Sequence, residues 1–124
     1  MYRVTVRILA TPEDFWASVD FVDSSGKTHR REVRQDRAAP MRSNMLQALI
    51  SAVGILTKPC GLTVIAQNDY LEAPMTQGWI CAWKERGWTN TKGKKVQNWE
   101  QWNELEGLLR TGGHQVEEVR CQKA

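Results

Sequence analysis

The run Leu62-Thr63-Val64-Ile65-Ala66 constrains the fold of this chain more than any other stretch. It is short and almost wholly apolar, which suits a central strand covered on both faces. Before it, Met45, Leu49, Ala52, Val53 and Leu56 recur at helical spacing, and Leu46 and Ile50 widen the stripe. A strand reached through a helical crossover lies parallel to an earlier strand of its sheet. Earlier strands are indeed written upstream. Val4, Val6 and Ile8 alternate with Arg3, Thr5 and Arg7, and Phe15, Ala17, Val19 and Phe21 alternate again. Thr11-Pro12-Glu13-Asp14 separates these two strands, and Asp23-Ser24-Ser25-Gly26-Lys27 reads as a hairpin turn. Thr28 to Arg34 has one strongly apolar residue, Val33. So polar a strand belongs at a sheet edge, where charge blocks unwanted pairing.

The remaining elements follow from punctuation. Ser43 is the expected N-cap of the first helix, and Lys58-Pro59-Cys60-Gly61 its stop. Gln67-Asn68-Asp69 caps a helix carrying Tyr70, Leu71, Met75, Trp79, Ile80 and Trp83, with a kink or break expected at Pro74. Trp99 to Leu109 is helical, Gly112-Gly113 ends it, and Gln115 to Arg120 alternates as a last strand. The order β-β-β-α-β-α-loop-α-β specifies an α/β fold with a mixed five-stranded sheet, antiparallel in its first three strands and parallel at its later crossovers, flanked by helices. At 124 residues, one domain over 1–124 is expected.

Several classes of function are unsupported. No apolar run has transmembrane length, and Met1-Tyr2-Arg3-Val4 enters a strand pattern without a signal-peptide layout. Cys60, Cys81 and Cys121 are odd in number and lack metal-ligand spacing, and neither His29 nor His114 has a nearby cysteine. A zinc site is not expected, and the thiols read as reduced. The expectation is an intracellular, cytoplasmic protein with no membrane partner. The formal net charge of +3 is unevenly placed. Six Lys/Arg lie between Lys27 and Arg42 against Glu32 and Asp36, and five lie between Lys84 and Gln97 against Glu85. Two basic segments on an otherwise acidic chain favour an anionic partner.

The second basic segment sits inside W-I-C-A-W-K-E-R-G-W-T-N-T-K-G-K-K-V-Q-N-W-E-Q-W, residues 79–102, which holds five of the six tryptophans. Trp79 and Trp83 share a helix face, and Trp79 and Trp102 read as core members. On spacing alone the stretch is two packed helices joined by a loop. Its motif goes further, because it resembles the type I ribonuclease H family pattern W-x3-W-K-x-R-G-W, T-x3-K-K-P-V-K-N, then D-L-W. Asn98 matches the family's Asn, Lys94, Lys95 and Val96 match its K-x-V stretch, and the Pro is missing. Lys58-Pro59-Cys60 and Tyr70 are also similar to the family. The resemblance implies an RNase H-like fold in which this stretch is the basic handle that helps grip an RNA/DNA hybrid.

The family cleaves the RNA strand with two divalent ions held by four carboxylates, since hard cations require anionic oxygen ligands. At the implied positions this chain has Ala10 on the first strand, Asn44 in the first helix and Gln67 after the fourth strand. The family's G-H-x-G loop and final helix, with its Asp, have no counterpart before Ala124, so the final helix is expected to be missing. The resemblance thus implies a catalytically inactive module without catalytic or metal residues and without a cofactor. Nucleic-acid contacts are assigned to Trp83, Lys84, Arg86, Trp88, Lys92, Lys94, Lys95 and Asn98. One alternative is a protein-interaction module, a nuclease inhibitor or an adaptor of a mobile element, with a protein partner or homodimer on a sheet face left less covered. The second is a residual Mg2+-dependent ribonuclease H using Glu13, Asp14 and Asp69.

Overall fold

A computed structural model describes residues 2–122. Strands β1 (Tyr2–Ala10), β2 (Asp14–Val22) and β3 (Thr28–Asp36) form an antiparallel meander. Helix α1 (Met41–Gly54) crosses over to β4 (Cys60–Ala66), which pairs parallel to β1 with Val4 opposite Leu62 and Val6 opposite Val64. Short helices α2 (Glu72–Thr76) and α3 (Trp79–Glu85), then α4 (Trp99–Thr111), lead to β5 (Gln115–Cys121), parallel to β4. The sheet order is β3-β2-β1-β4-β5. The expected mixed sheet, its parallel crossover and the edge position of the polar third strand are all present.

The core lies under α1. Val4, Val6, Ile8, Ala17 and Val19 of the sheet meet Met45, Leu46, Leu49, Ala52 and Val53, all buried. The buried Leu105 and Trp102 of α4 belong to the same core. This burial of contiguous apolar area is the main force holding the layers together.

The other sheet face is a field of ion pairs. Asp20 accepts from Arg7 at 3.0 Å and Arg30 at 2.7 Å, and Asp14 accepts from Arg34 at 3.3 Å. The hydrogen bond from Arg30 holds the Asp20 carboxyl below its usual range. Leu9 and Val22 are exposed among these charges. The apolar surface expected on the less covered face is therefore confined to Val22 and to Leu9 beside its cross-strand neighbour Trp16, among charged residues that point outward from β1, β2 and β3. Thr63 and Ile65 of β4 are likewise only partly covered on that face, so the apolar run is fully buried on one side alone.

Three local expectations are corrected. Helix α1 starts at Met41 after Pro40, and the Asn44 amide already donates to the Pro40 carbonyl at 3.1 Å. Ser43 lies buried within the helix and is not its N-cap. Proline fixes φ (here −53°) and suits the position just before a helix, so it sets the start earlier. Residues 67–71 form turns, and the next helix begins only at Glu72. Pro74 sits inside α2, and the break falls at Gly78, whose φ of 76° a side-chain-bearing residue adopts with strain.

Candidate nucleic-acid interface

The segment between α3 and α4 reverses on two consecutive left-handed residues, Gly87 (φ 68°) and Trp88 (φ 65°). The Trp88 amide donates to the Trp83 carbonyl at 2.6 Å, and the Val96 amide returns to the Trp88 carbonyl at 2.9 Å. Between them Thr89 and Lys95 pair as an antiparallel bridge. The Asn90 carboxamide oxygen accepts from the amides of Lys92 at 2.9 Å and Lys94 at 3.0 Å, while Gly93 takes the positive φ at the tip. The loop is thus a small internally bonded hairpin, with a turn built as Asn and Gly permit. At its far root Asn98 (φ 62°) donates to the Tyr70 hydroxyl at 3.3 Å and opens α4.

An aromatic ladder anchors this hairpin. Ring centroids run Trp79 to Trp83 at 6.0 Å, Trp83 to Trp102 at 5.8 Å and Trp102 to Tyr70 at 5.8 Å. Each step is tilted or edge-on, the arrangement that the ring quadrupoles favour. Trp102 is 1 % exposed, as a core member should be, but Trp79 is 44 % exposed. Trp88, assigned to the contact surface, is only 6 % exposed. Its left-handed backbone turns the indole back into the core. Trp79 is thus not the core member expected, and Trp88 is packed in the core.

The cations divide similarly. Lys84 is bound to Glu106 at 2.9 Å, a bond that lowers the Glu106 pKa. Lys95 donates to the Gly87 carbonyl at 2.9 Å and lies over the Trp99 ring at 4.5 Å. Arg86, Lys92 and Lys94 are exposed and form no ion pair among the described residues. Asn98 and the half-buried Trp83 are structural supports of the hairpin.

Beside the handle, at the C-terminal ends of β1 and β4, two carboxamides close the strands. Gln67 Nε2 donates to the Ala10 carbonyl at 2.8 Å and its Oε1 accepts from the Ala10 amide at 2.5 Å. Asn44 is 0 % exposed, and its Nδ2 donates to the carbonyls of Thr11 at 2.7 Å and Arg37 at 2.8 Å. Arg37 Nη1 in turn donates to Asn44 Oδ1 at 2.8 Å and Ser43 Oγ at 3.0 Å. Ser43 continues the network to Gln101 of α4 at 2.8 Å. Arg42, one residue before Ser43, lies 4.9 Å over the Tyr70 ring that Asn98 also touches. Arg37 and Arg42 therefore join this cleft to the handle. Sequence reading missed them as site residues, and the signal available was the basic run from Lys27 to Arg42.

Glu13 and Asp69 are exposed, and Asp14 is engaged by Thr11 and Arg34. Among the described residues no group of three or more His, Cys, Asp or Glu is placed to hold a metal ion. Cys60 is buried, and that burial raises its thiol pKa, while Cys81 is exposed and Cys121 half-buried. No helix among the described residues is long and apolar enough to cross a membrane.

The ribonuclease H of Paracidovorax citrulli is 38 % identical over 72 residues, 58 % of this chain and 48 % of that protein. The ribonuclease H of Polaromonas naphthalenivorans is 30 % identical over 94 residues, 76 % of this chain and 58 % of that protein. Among solved structures, LC9-RNase H1, a type 1 RNase H with the type 2 active-site motif, superposes with a TM-score of 0.76 at 20 % identity, covering 97 % of this chain and 64 % of that one. The chain is ribonuclease H-like in fold and similar in sequence to part of these ribonucleases H. No protein-family model matches it. This ribonuclease H-like chain spans about half the length of the relatives it matches. LC11-RNase H1, solved in complex with RNA/DNA hybrid, shares the fold at a TM-score of 0.56 and 14 % identity, over all of this chain and 85 % of its own.

Proposed function

We propose that this chain is a catalytically inactive ribonuclease H-like module, organised as one domain, that binds an RNA/DNA hybrid or another nucleic-acid duplex through its handle. Arg86, Lys92 and Lys94 supply phosphate contacts, and Lys95 adds charge from its seat on Trp99. Arg37 and Arg42 extend the basic track toward the strand ends. Such contacts read backbone shape with little base information. That a neighbour of this fold was solved on RNA/DNA hybrid supports the choice of ligand.

The observation that carries the inactive reading is the condition of Asn44 and Gln67. Both carboxamides are spent on backbone groups, and Asn44 Oδ1 already faces the Arg37 guanidinium. Ala10 offers no ligand atom. Neutral amides beside a fixed cation do not fit a pair of divalent ions, whose binding relies on anionic oxygens. We derive no hydrolytic step through them.

Binding of a labelled hybrid should fall steeply as salt rises, since released counterions drive it. Changing Arg86, Lys92 and Lys94 together to Ala should weaken it at low salt by about tenfold or more, with thermal unfolding unchanged. Salt-insensitive or absent binding would overturn the assignment. Cleavage of the hybrid in excess Mg2+ or Mn2+, abolished by Asp69→Asn, would restore the enzyme reading. The protein-partner reading has no comparable support on the open sheet face, where the outward charges are already paired.

A further inference from the structure

The end of the sheet opposite the handle holds a second feature. Past the last turn of α1, a cleft of about 530 Å3 opens between residues 55–58 and the starts of β1 and β4. Its floor is Val4, Val19 and Phe21, and its wall is Ile55 and Leu56. That volume lies within the range of small-molecule sites, which are typically apolar with a few directing polar groups.

The charged residues that line the cleft, Arg30, Arg31 and Lys58, are all basic; His29, Thr57 and Tyr2 line it beside them, and no carboxylate does. His29 is already engaged, 2.8 Å from Asp23 and stacked on Phe21 at 4.8 Å. Lys58 lies 5.5 Å over the Tyr2 ring. Neither Arg31 nor Lys58 forms an ion pair among the described residues. The contrast with Arg30 is informative, because one residue away and on the opposite face it is held by Asp20 at 2.7 Å. Arg7, Arg30 and Arg34 of that opposite face are each held by a carboxylate, Asp20 or Asp14, whereas Arg31 and Lys58 at the apolar cleft have no counter-charge among the described residues.

We propose that this cleft is a binding site for a small amphipathic anion, an apolar body carrying one carboxylate. The body lies on Val4, Val19 and Phe21 against Leu56, and the carboxylate meets Arg31 and Lys58 at the mouth. A neutral molecule of the same shape would leave both cations unanswered, and a cationic one would be repelled. The site shares none of its residues with the handle or the strand-end cleft, so its occupancy is independent of the nucleic-acid reading.

Decanoate serves as the probe, with decanol as its uncharged counterpart, in titrations followed by amide NMR at low ionic strength. Decanoate should shift the signals of Val19, Phe21 and Leu56 saturably, and decanol should bind about tenfold more weakly. Arg31→Glu combined with Lys58→Glu should weaken decanoate by about tenfold while leaving decanol unchanged. Lys92→Ala with Lys94→Ala should leave decanoate binding as it was. Equal binding of the two probes, shifts mapping elsewhere, or no saturation would overturn the proposal. So would cleft signals that move with protein concentration alone, which would assign the cleft to a second copy. Should the double charge reversal unfold, the comparison of the two probes on the unaltered protein decides.

Discussion

Asn44 shows what replacing a carboxylate by an amide does to a buried site. Its buried Nδ2 donates to the carbonyls of Thr11 and Arg37, a task a carboxylate cannot perform. Asn44→Asp should therefore destabilise the fold by about 2–4 kcal/mol, read from the urea midpoint, with Arg37 offsetting only part of the cost. An unchanged midpoint would mean that the strand ends do not depend on this amide. Ser18 is the reverse case. Its hydroxyl is buried and has no hydrogen-bond partner, so Ser18→Ala should leave stability equal or raise it by up to about 1 kcal/mol. His114 gives a pH dependence. Its Nδ1 accepts from the Cys60 amide at 3.1 Å, and burial lowers its pKa below 6.5. On acidification the unfolded chain takes up this proton first. The contribution to stability is full above about pH 6.5 and is lost as pH falls from there through the folded pKa. The carboxyls of Asp20 and Glu106 are also lowered, from 3.8 and 4.5, so their contributions fail only at more acid pH. Melting temperatures between about pH 7.5 and 5.5 should decline, and His114→Asn should flatten the slope.

At the scale of elements, the handle behaves as a unit tied at two points. Asn90 organises its turn by accepting two backbone amides. Asn90→Ala should speed hydrogen exchange at Lys92 and Lys94 while leaving exchange in β1 and β4 unchanged, because turns open without global unfolding. The elements were largely legible because their signals are local. Alternation in Val4–Ile8 and Phe15–Phe21, and the stripe on α1, each depend on a few neighbouring residues. Errors arose where local signals conflicted. Both Pro40 and Ser43 can open a helix, and proline won. Pro74 reads as a breaker, but within a first turn its missing amide proton costs little, so Gly78 made the break instead. The burial of Trp88 was illegible because the left-handed pair Gly87–Trp88 rotates the chain out of helical phase. The Arg37–Asn44 contact links a loop to a helix through side-chain geometry that no spacing rule expresses.

For the whole molecule, the distribution of charge is the organising fact. Among the described residues, most arginines on the open sheet face are matched by carboxylates, whereas cations without an ion pair collect on the handle, at the strand ends beside it and around the distal cleft. A charge count of +3 cannot reveal this partition, since pairing is decided by cross-strand neighbours such as Asp20 and Arg30. The central position of β1 also governs the order in which the chain acquires structure. Its contacts with β2 join near neighbours in sequence, as Ala10 opposite Phe15 illustrates, while its other edge waits for β4, where Tyr2 meets Cys60. During synthesis the meander can therefore assemble long before β4 emerges. Until then β1 is an edge strand, unpaired on its β4 side, with Arg3 and Arg7 as its only charges, fewer than β3 carries, and the molecule is most open to misassembly in that interval.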